Sequence, residues 1–201
     1  MGPLALYLVT DRHATRGREL TEVVAECLDA GLRLLQVREK DLAPAPLAAL
    51  CRPVRELTRR AGARLFVNSN VEVALEVGAD GLHRPHALVI VPEDAPGLAI
   101  AVSVHRASEA VEAERDGAEF VVFGPVYDTP SKGRYGPPQG LDALARVVES
   151  VRIPVLAIGG VTPPRVPEVR AAGAGGVAVI SAILGADSPR DATKRFLEAL
   201  A

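Results

Sequence analysis

The chain has 201 residues, 48% hydrophobic and 24% charged, which is the profile of a single globular domain of residues 1–201 with enough chain to bury a sizeable core. Its 23 basic and 25 acidic residues leave a formal charge of −2, so no overall field recruits nucleic acid or a membrane surface. No apolar run approaches a membrane span and the first residues lack the plan of a secretory signal, so a cytoplasmic protein is expected.

Short apolar runs alternate with amphipathic stretches along the whole chain. Strands are expected over 4–9, 34–38, 65–68, 81–83, 100–105, 120–124, 155–158 and 177–180, most of them rich in Val, Ile and Leu as strands buried on both faces are. Helical patterns fall between them, over 20–30, 46–61, 108–116, 141–151, 163–172 and 190–200, several ending in a glycine at the capping position. Three helix-to-strand junctions rhyme, at 77–81, 116–120 and 172–176, each with a Gly placed to take positive φ. Eight βα units in so short a chain predict a compact (β/α)8 (TIM) barrel, with an open doubly wound sheet as the alternative. The fourth unit, 83–96, has three Pro and little helical pattern. Cys27 and Cys51 lie in helix-like segments without ligand spacing and read as buried small hydrophobes.

A barrel builds its site at the carboxyl ends of its strands. The composition is skewed, with 20 Arg against 3 Lys, 2 Asn, 2 Gln and 4 His. Lys40, Lys132, Asn68, Asn70, Gln36, His83, His86 and His105 all fall at those strand ends or in the loops that follow. In a chain that uses Arg almost everywhere, Lys40 and Lys132 point to a demand for a compact ammonium, such as a phosphate contact. Strand alternation sends Gln36 and Arg38 to one face and Glu39 and Lys40 to the rim. The long loop at 125–139 places two hydroxyls and an ammonium beside glycine, and the paired loops after strands seven and eight, at Gly159-Gly160 and Ile180-Ser181, are where this barrel commonly holds phosphate. Ser103 and His105, two apart, can both face the mouth; His83, His86 and His13 carry weaker cases. Asp11, Glu39 and Asp128 are the carboxylates near the mouth, without metal-cage spacing, so no protein-held metal is expected.

Together, Tyr7-Leu8-Val9-Thr10-Asp11, Gln36 through Lys40, Val67-Asn68, the segment 77–83, Ser103-Val104-His105, Phe123 through Tyr127 with Thr129 through Lys132, Ala157 through Val161 and Ile180 through Ile183 resemble the thiamine-phosphate synthase/TenI family over essentially the whole chain. The resemblance implies that Gln36, Arg38, Glu39, Lys40, Asn68, Ser103 and Lys132 face a pyrimidine diphosphate, while Thr129, Pro130, Ser131, Gly160, Ile180 and Ser181 hold a thiazole phosphate. Where the family's synthases carry Asn-Asp-Arg this chain has Asn68-Ser69-Asn70, and where they carry Gly-Gln-x-Asp after the fourth-strand His it has Arg84-Pro85-His86-Ala87, so both acidic Mg²⁺ ligands are replaced. The replacement resembles the TenI branch, which implies a thiazole tautomerase working without cofactor or metal, although Pro125 stands where that branch has its His. His105 and Lys132 are then the candidate catalytic groups, Glu39 being an alternative base. The alternatives are a synthase using Mg²⁺ to join hydroxymethylpyrimidine diphosphate to thiazole phosphate, and a non-catalytic regulator that binds the thiazole phosphate. The expected partner is that small molecule, with no nucleic acid and no membrane, and a homo-oligomer remains open.

Overall fold

In the computed structural model, residues 5–88, 97–128 and 137–201 are described. Eight strands run parallel in chain order: β1 (Leu6–Val9), β2 (Leu34–Val37), β3 (Arg64–Asn68), β4 (Gly81–Pro85), β5 (Ala99–Val104), β6 (Phe120–Phe123), β7 (Val155–Ile158) and β8 (Gly176–Val179). β1 pairs with β2 through Tyr7↔Leu34 and with β8 through Leu6↔Val177, so the sheet closes into a (β/α)8 barrel and the open-sheet alternative falls away. The helices are α1 (Leu20–Asp29), α2 (Pro44–Ala61), α3 (Val71–Glu76), α4 (Ala107–Arg115), α5 (Gly140–Ser150), α6 (Val166–Ala171), α7 (Ser181–Leu184) and α8 (Pro189–Leu200).

Strand alternation divides the core into two. Outward residues such as Leu6, Leu8, Leu35 and Val37 meet the helices, along with Val23, Val24, Cys51 and Phe196. Inward residues fill the barrel, where Tyr7, Phe66 and Phe120 meet edge to face with ring centroids 5.4–5.9 Å apart. Both cysteines are buried and free, and burial pushes their thiols up, to about 11 for Cys27 and about 12 for Cys51.

The elements differ from the sequence expectation at the short, polar units. α3 has six residues and is opened by Asn70, whose side chain accepts from the Val73 N–H at 2.9 Å, a cap that substitutes for a long apolar stripe. The segment expected as one helix over 163–172 splits into a 3₁₀ turn at Pro163–Arg165 and α6, with prolines at both starts. The fourth unit continues past β4 as a 3₁₀ turn, His86–Leu88; the rest of 83–96 lies outside the described residues, as does Leu4. At the three rhyming junctions Gly78, Gly117 and Gly173 have φ of 62°, 86° and 88°, the left-handed conformation that ends each helix and turns the chain into the sheet.

Candidate active site

The inward positions nearest the carboxyl ends of the strands enclose a cavity of about 220 Å³. Gln36, Arg38, Lys40, Asn68, Ser103, His105 and Ile180 line it, and Ser69, His83, Pro125 and Gly159 complete its polar and backbone surface. The alternation that puts Tyr7 in the barrel core puts Val9 one step higher at the cavity floor, as Leu34 leads to Gln36 and then Arg38, and Ala101 to Ser103 and then His105.

Hydrogen bonds orient the amides. Gln36 Nε2 donates to Asn68 Oδ1 at 3.0 Å and Asn68 Nδ2 donates to Ser69 Oγ at 3.2 Å, so the two side chains act as one edge. Ser69 holds φ of 57°, and its N–H donates to the His83 carbonyl at 2.8 Å. His105 is anchored through Nδ1, 2.7 Å from the Gly124 carbonyl, which makes that nitrogen the donor and leaves Nε2 toward the cavity.

Glu39 is corrected by the structure: it does not line the cavity but lies under the rim, 4% exposed. Its carboxylate accepts from Thr10 Oγ1 at 2.6 Å, from the Arg12 N–H at 3.1 Å and from the Arg12 guanidinium at 3.1 Å. Thr10 Oγ1 in turn accepts from the Arg38 N–H at 2.9 Å. This knot fixes the backbone that presents Arg38 and Lys40, and it occupies Glu39 as a base. Arg12 also forks onto Asp41, which holds that carboxyl far below the usual range. Gly160 and Ser181 stand at the ends of β7 and β8 but outside the cavity lining, while Thr129, Pro130, Ser131 and Lys132 lie outside the described residues.

Gly160 serves the neighbouring loop. At φ of 64° a Cβ there would lie 2.8 Å from Tyr127 Cβ and against the Asp128 carbonyl, and the Gly160 carbonyl accepts from Arg165 Nη1 at 2.6 Å. Arg165 also stacks on the Tyr127 ring, 4.4 Å from its centroid, and the Tyr127 hydroxyl donates to Glu168 at 2.6 Å. Gly160→Ala is expected to destabilise the fold by roughly 1–3 kcal/mol from backbone strain and clash; an unchanged melting temperature would contradict this packing.

Buried His83 is held neutral, its pKa pushed down to about 3 by desolvation and then by the charge of Arg38. The unfolded chain takes up a proton near the ordinary value of 6.5, so stability is full above that pH and is lost as pH falls from 6.5 toward 3. The slope approaches ~1.4 kcal/mol per pH unit in that window. Urea titrations at pH 7.5, 6 and 5 are expected to show the loss in the wild type and a shallower one in His83→Asn; parallel slopes would refute it.

Among the described residues no carboxylate lines the cavity, and no group of three or more His, Cys, Asp and Glu is arranged to hold a metal. These residues do not fit a protein-held Mg²⁺, which takes carboxylate oxygens. What they offer is the charge of Arg38 and Lys40 beside neutral amide and hydroxyl groups, an arrangement suited to an anionic ligand with a polar ring.

A closed parallel barrel whose described cavity lining carries Arg38 and Lys40 at the carboxyl ends of its strands is suited to a phosphorylated small molecule. The family model described as thiamine monophosphate synthase matches residues 6–183. A protein of Geobacter sulfurreducens named putative thiamine-phosphate synthase is 46% identical, the match covering 98% of this chain and 94% of the relative. The thiamine-phosphate synthase of Roseiflexus castenholzii is 40% identical over 98% of this chain and 88% of its own. Among solved structures, thiamine phosphate pyrophosphorylase from Pyrococcus furiosus superposes with a TM-score of 0.87 at 38% identity, covering 98% of this chain and 95% of that one. The chain belongs to the thiamine-phosphate synthase family.

This overturns the expectation of a thiazole tautomerase. Relatives at 40–46% identity along nearly the whole chain carry the synthase name, the first of them as putative, so the transferase alternative replaces the isomerase. His105, expected as the proton-transfer group of that reaction, ties the end of β5 to the loop after β6 through Nδ1 and lines the cavity.

Proposed function

We propose that the chain is a thiamine-phosphate synthase, joining hydroxymethylpyrimidine diphosphate to a thiazole phosphate with release of pyrophosphate. The observation that carries this reading is the 46% identity across 98% of the chain to a putative synthase. The cavity's chemistry supports it. The bond between the pyrimidine's exocyclic carbon and the diphosphate oxygen breaks, the thiazole nitrogen supplies the pair for the new C–N bond, and pyrophosphate leaves with the old pair. Negative charge grows on the leaving group, and Arg38 and Lys40 stand in the cavity to stabilise it. Gln36, Asn68 and Ser103 offer the polar edge for the pyrimidine. Gly160, Ile180 and Ser181, at the ends of β7 and β8, are assigned to the thiazole phosphate together with Thr129, Pro130 and Ser131; Lys132 is assigned to the diphosphate.

Among the described residues no helix is long and apolar enough to cross a membrane. The purified protein, given both substrates with and without Mg²⁺, is expected to form thiamine phosphate and pyrophosphate in equal amounts. Absence of both products at any Mg²⁺ concentration overturns the reading, and substrate binding without turnover would favour a regulator.

A further inference from the structure

We infer that Tyr7 and His83 are positioning residues, which fix the Ser103 hydroxyl as a hydrogen-bond donor to an acceptor atom of the pyrimidine diphosphate. Tyr7 Oη lies 3.2 Å from His83 Nδ1, and His83 Nε2 lies 2.7 Å from Ser103 Oγ. The chain starts in the dry centre of the barrel, where Tyr7 is fully buried, and ends at the cavity wall, which Ser103 lines. The Tyr7 and His83 rings stack with 5.8 Å between centroids and 25° between planes, so neither turns freely.

Counting protons sets the direction. A neutral imidazole has one N–H and one lone pair. Burial keeps His83 neutral. Among the described residues the Tyr7 hydroxyl has His83 Nδ1 as its one hydrogen-bond partner. If Nδ1 carried the proton, the phenolic O–H would be left buried with no acceptor, which is unfavourable. Tyr7 therefore donates to Nδ1, the proton of His83 resides on Nε2, and Nε2–H donates to Ser103 Oγ. With its oxygen receiving that bond and no other protein acceptor within reach among the described residues, Ser103 presents its O–H to the cavity. The ligand must then offer a lone pair there, a ring nitrogen or a phosphoryl oxygen and not an N–H. The identity of the ligand rests on the synthase reading; the direction of the relay does not.

Nitrogen-15 NMR of histidine-labelled protein, with His83 assigned from its loss in His83→Gln, is expected to show the neutral Nε2–H tautomer at pH 7. An Nδ1–H tautomer or a doubly protonated ring overturns the inference whatever the protein catalyses. On the reaction, Tyr7→Phe keeps the ring and removes the donor. It is expected to lower kcat/KM for the pyrimidine diphosphate about tenfold in the wild-type background and less than twofold in Ser103→Ala. An equal loss in both backgrounds would make Tyr7 a packing residue and overturn its positioning role. If the wild type forms no thiamine phosphate yet shows the Nε2–H tautomer, the synthase reading fails and the relay stands.

Discussion

Lys40→Ala is expected to lower kcat for thiamine phosphate formation by about 10²–10³-fold, the usual consequence of removing one group aimed at charge that develops in the transition state. Lys40 lines the cavity one step beyond Arg38, and its backbone is set by the Thr10, Glu39 and Arg12 knot. No carboxylate lines the described cavity to divert its charge, so the ammonium is available to the leaving pyrophosphate. Because the side chain is exposed, the melting temperature is expected to stay within a degree or two of the wild type, about the effect of a neutral surface change. Lys40→Arg should recover part of the rate, since charge returns but the planar fork does not reproduce a compact ammonium. Single-turnover measurement at saturating substrate checks the effect on the chemical step. A loss of less than threefold would remove Lys40 from that role, and so would a loss confined to KM.

Glu39→Ala is expected to act in the opposite way, chiefly on stability. Three donors converge on its carboxylate, whose side chain is 1% exposed, and truncation strands the Thr10 hydroxyl and the Arg12 N–H at once. Breaking a buried ion pair from one side costs 3–5 kcal/mol; about 3 is expected here, because Arg12 is partly exposed and keeps Asp41. For a chain of this size that corresponds to a fall in melting temperature of roughly 6–12 °C. Glu39→Gln keeps acceptors for Thr10 and the Arg12 N–H and should lose half as much or less. If Glu39→Ala melted with the wild type while losing substrate affinity, the assignment of Glu39 to ligand binding would be restored and the structural one abandoned.

The contrast between these neighbours shows where the sequence is legible. The eight strands, the barrel and most of the cavity lining follow from apolar runs and period-two alternation, which place Gln36 with Arg38 and Ser103 with His105 without any knowledge of tertiary contacts. Alternation says only that Glu39, two residues past the end of β2, points away from the cavity; what it meets there is decided by partners 27 and 29 residues away in the segment after β1. His83 is visible as a strand-end histidine, but the proton arrangement depends on Tyr7, 76 residues distant, which reads as one more aromatic core residue. α3 escapes the pattern because a side-chain cap supports six residues too few to show a periodic stripe. The reaction is misread for a different reason: two substituted carboxylates speak to how charge is neutralised, and the rest of the chain to which bond is made.

The ring of Tyr7, Phe66 and Phe120 has a kinetic meaning as well as a packing one. Among the described residues these side chains fill the middle of the barrel beneath the cavity, which places the way in for a ligand at the carboxyl ends of the strands. Whatever rests on the floor beside His83 and Ser103 has to enter before anything can be stacked above it, and its remnant departs last. Initial-rate patterns are therefore expected to be ordered, with the pyrimidine diphosphate as the leading substrate; random addition would mean that the cavity has a second way in.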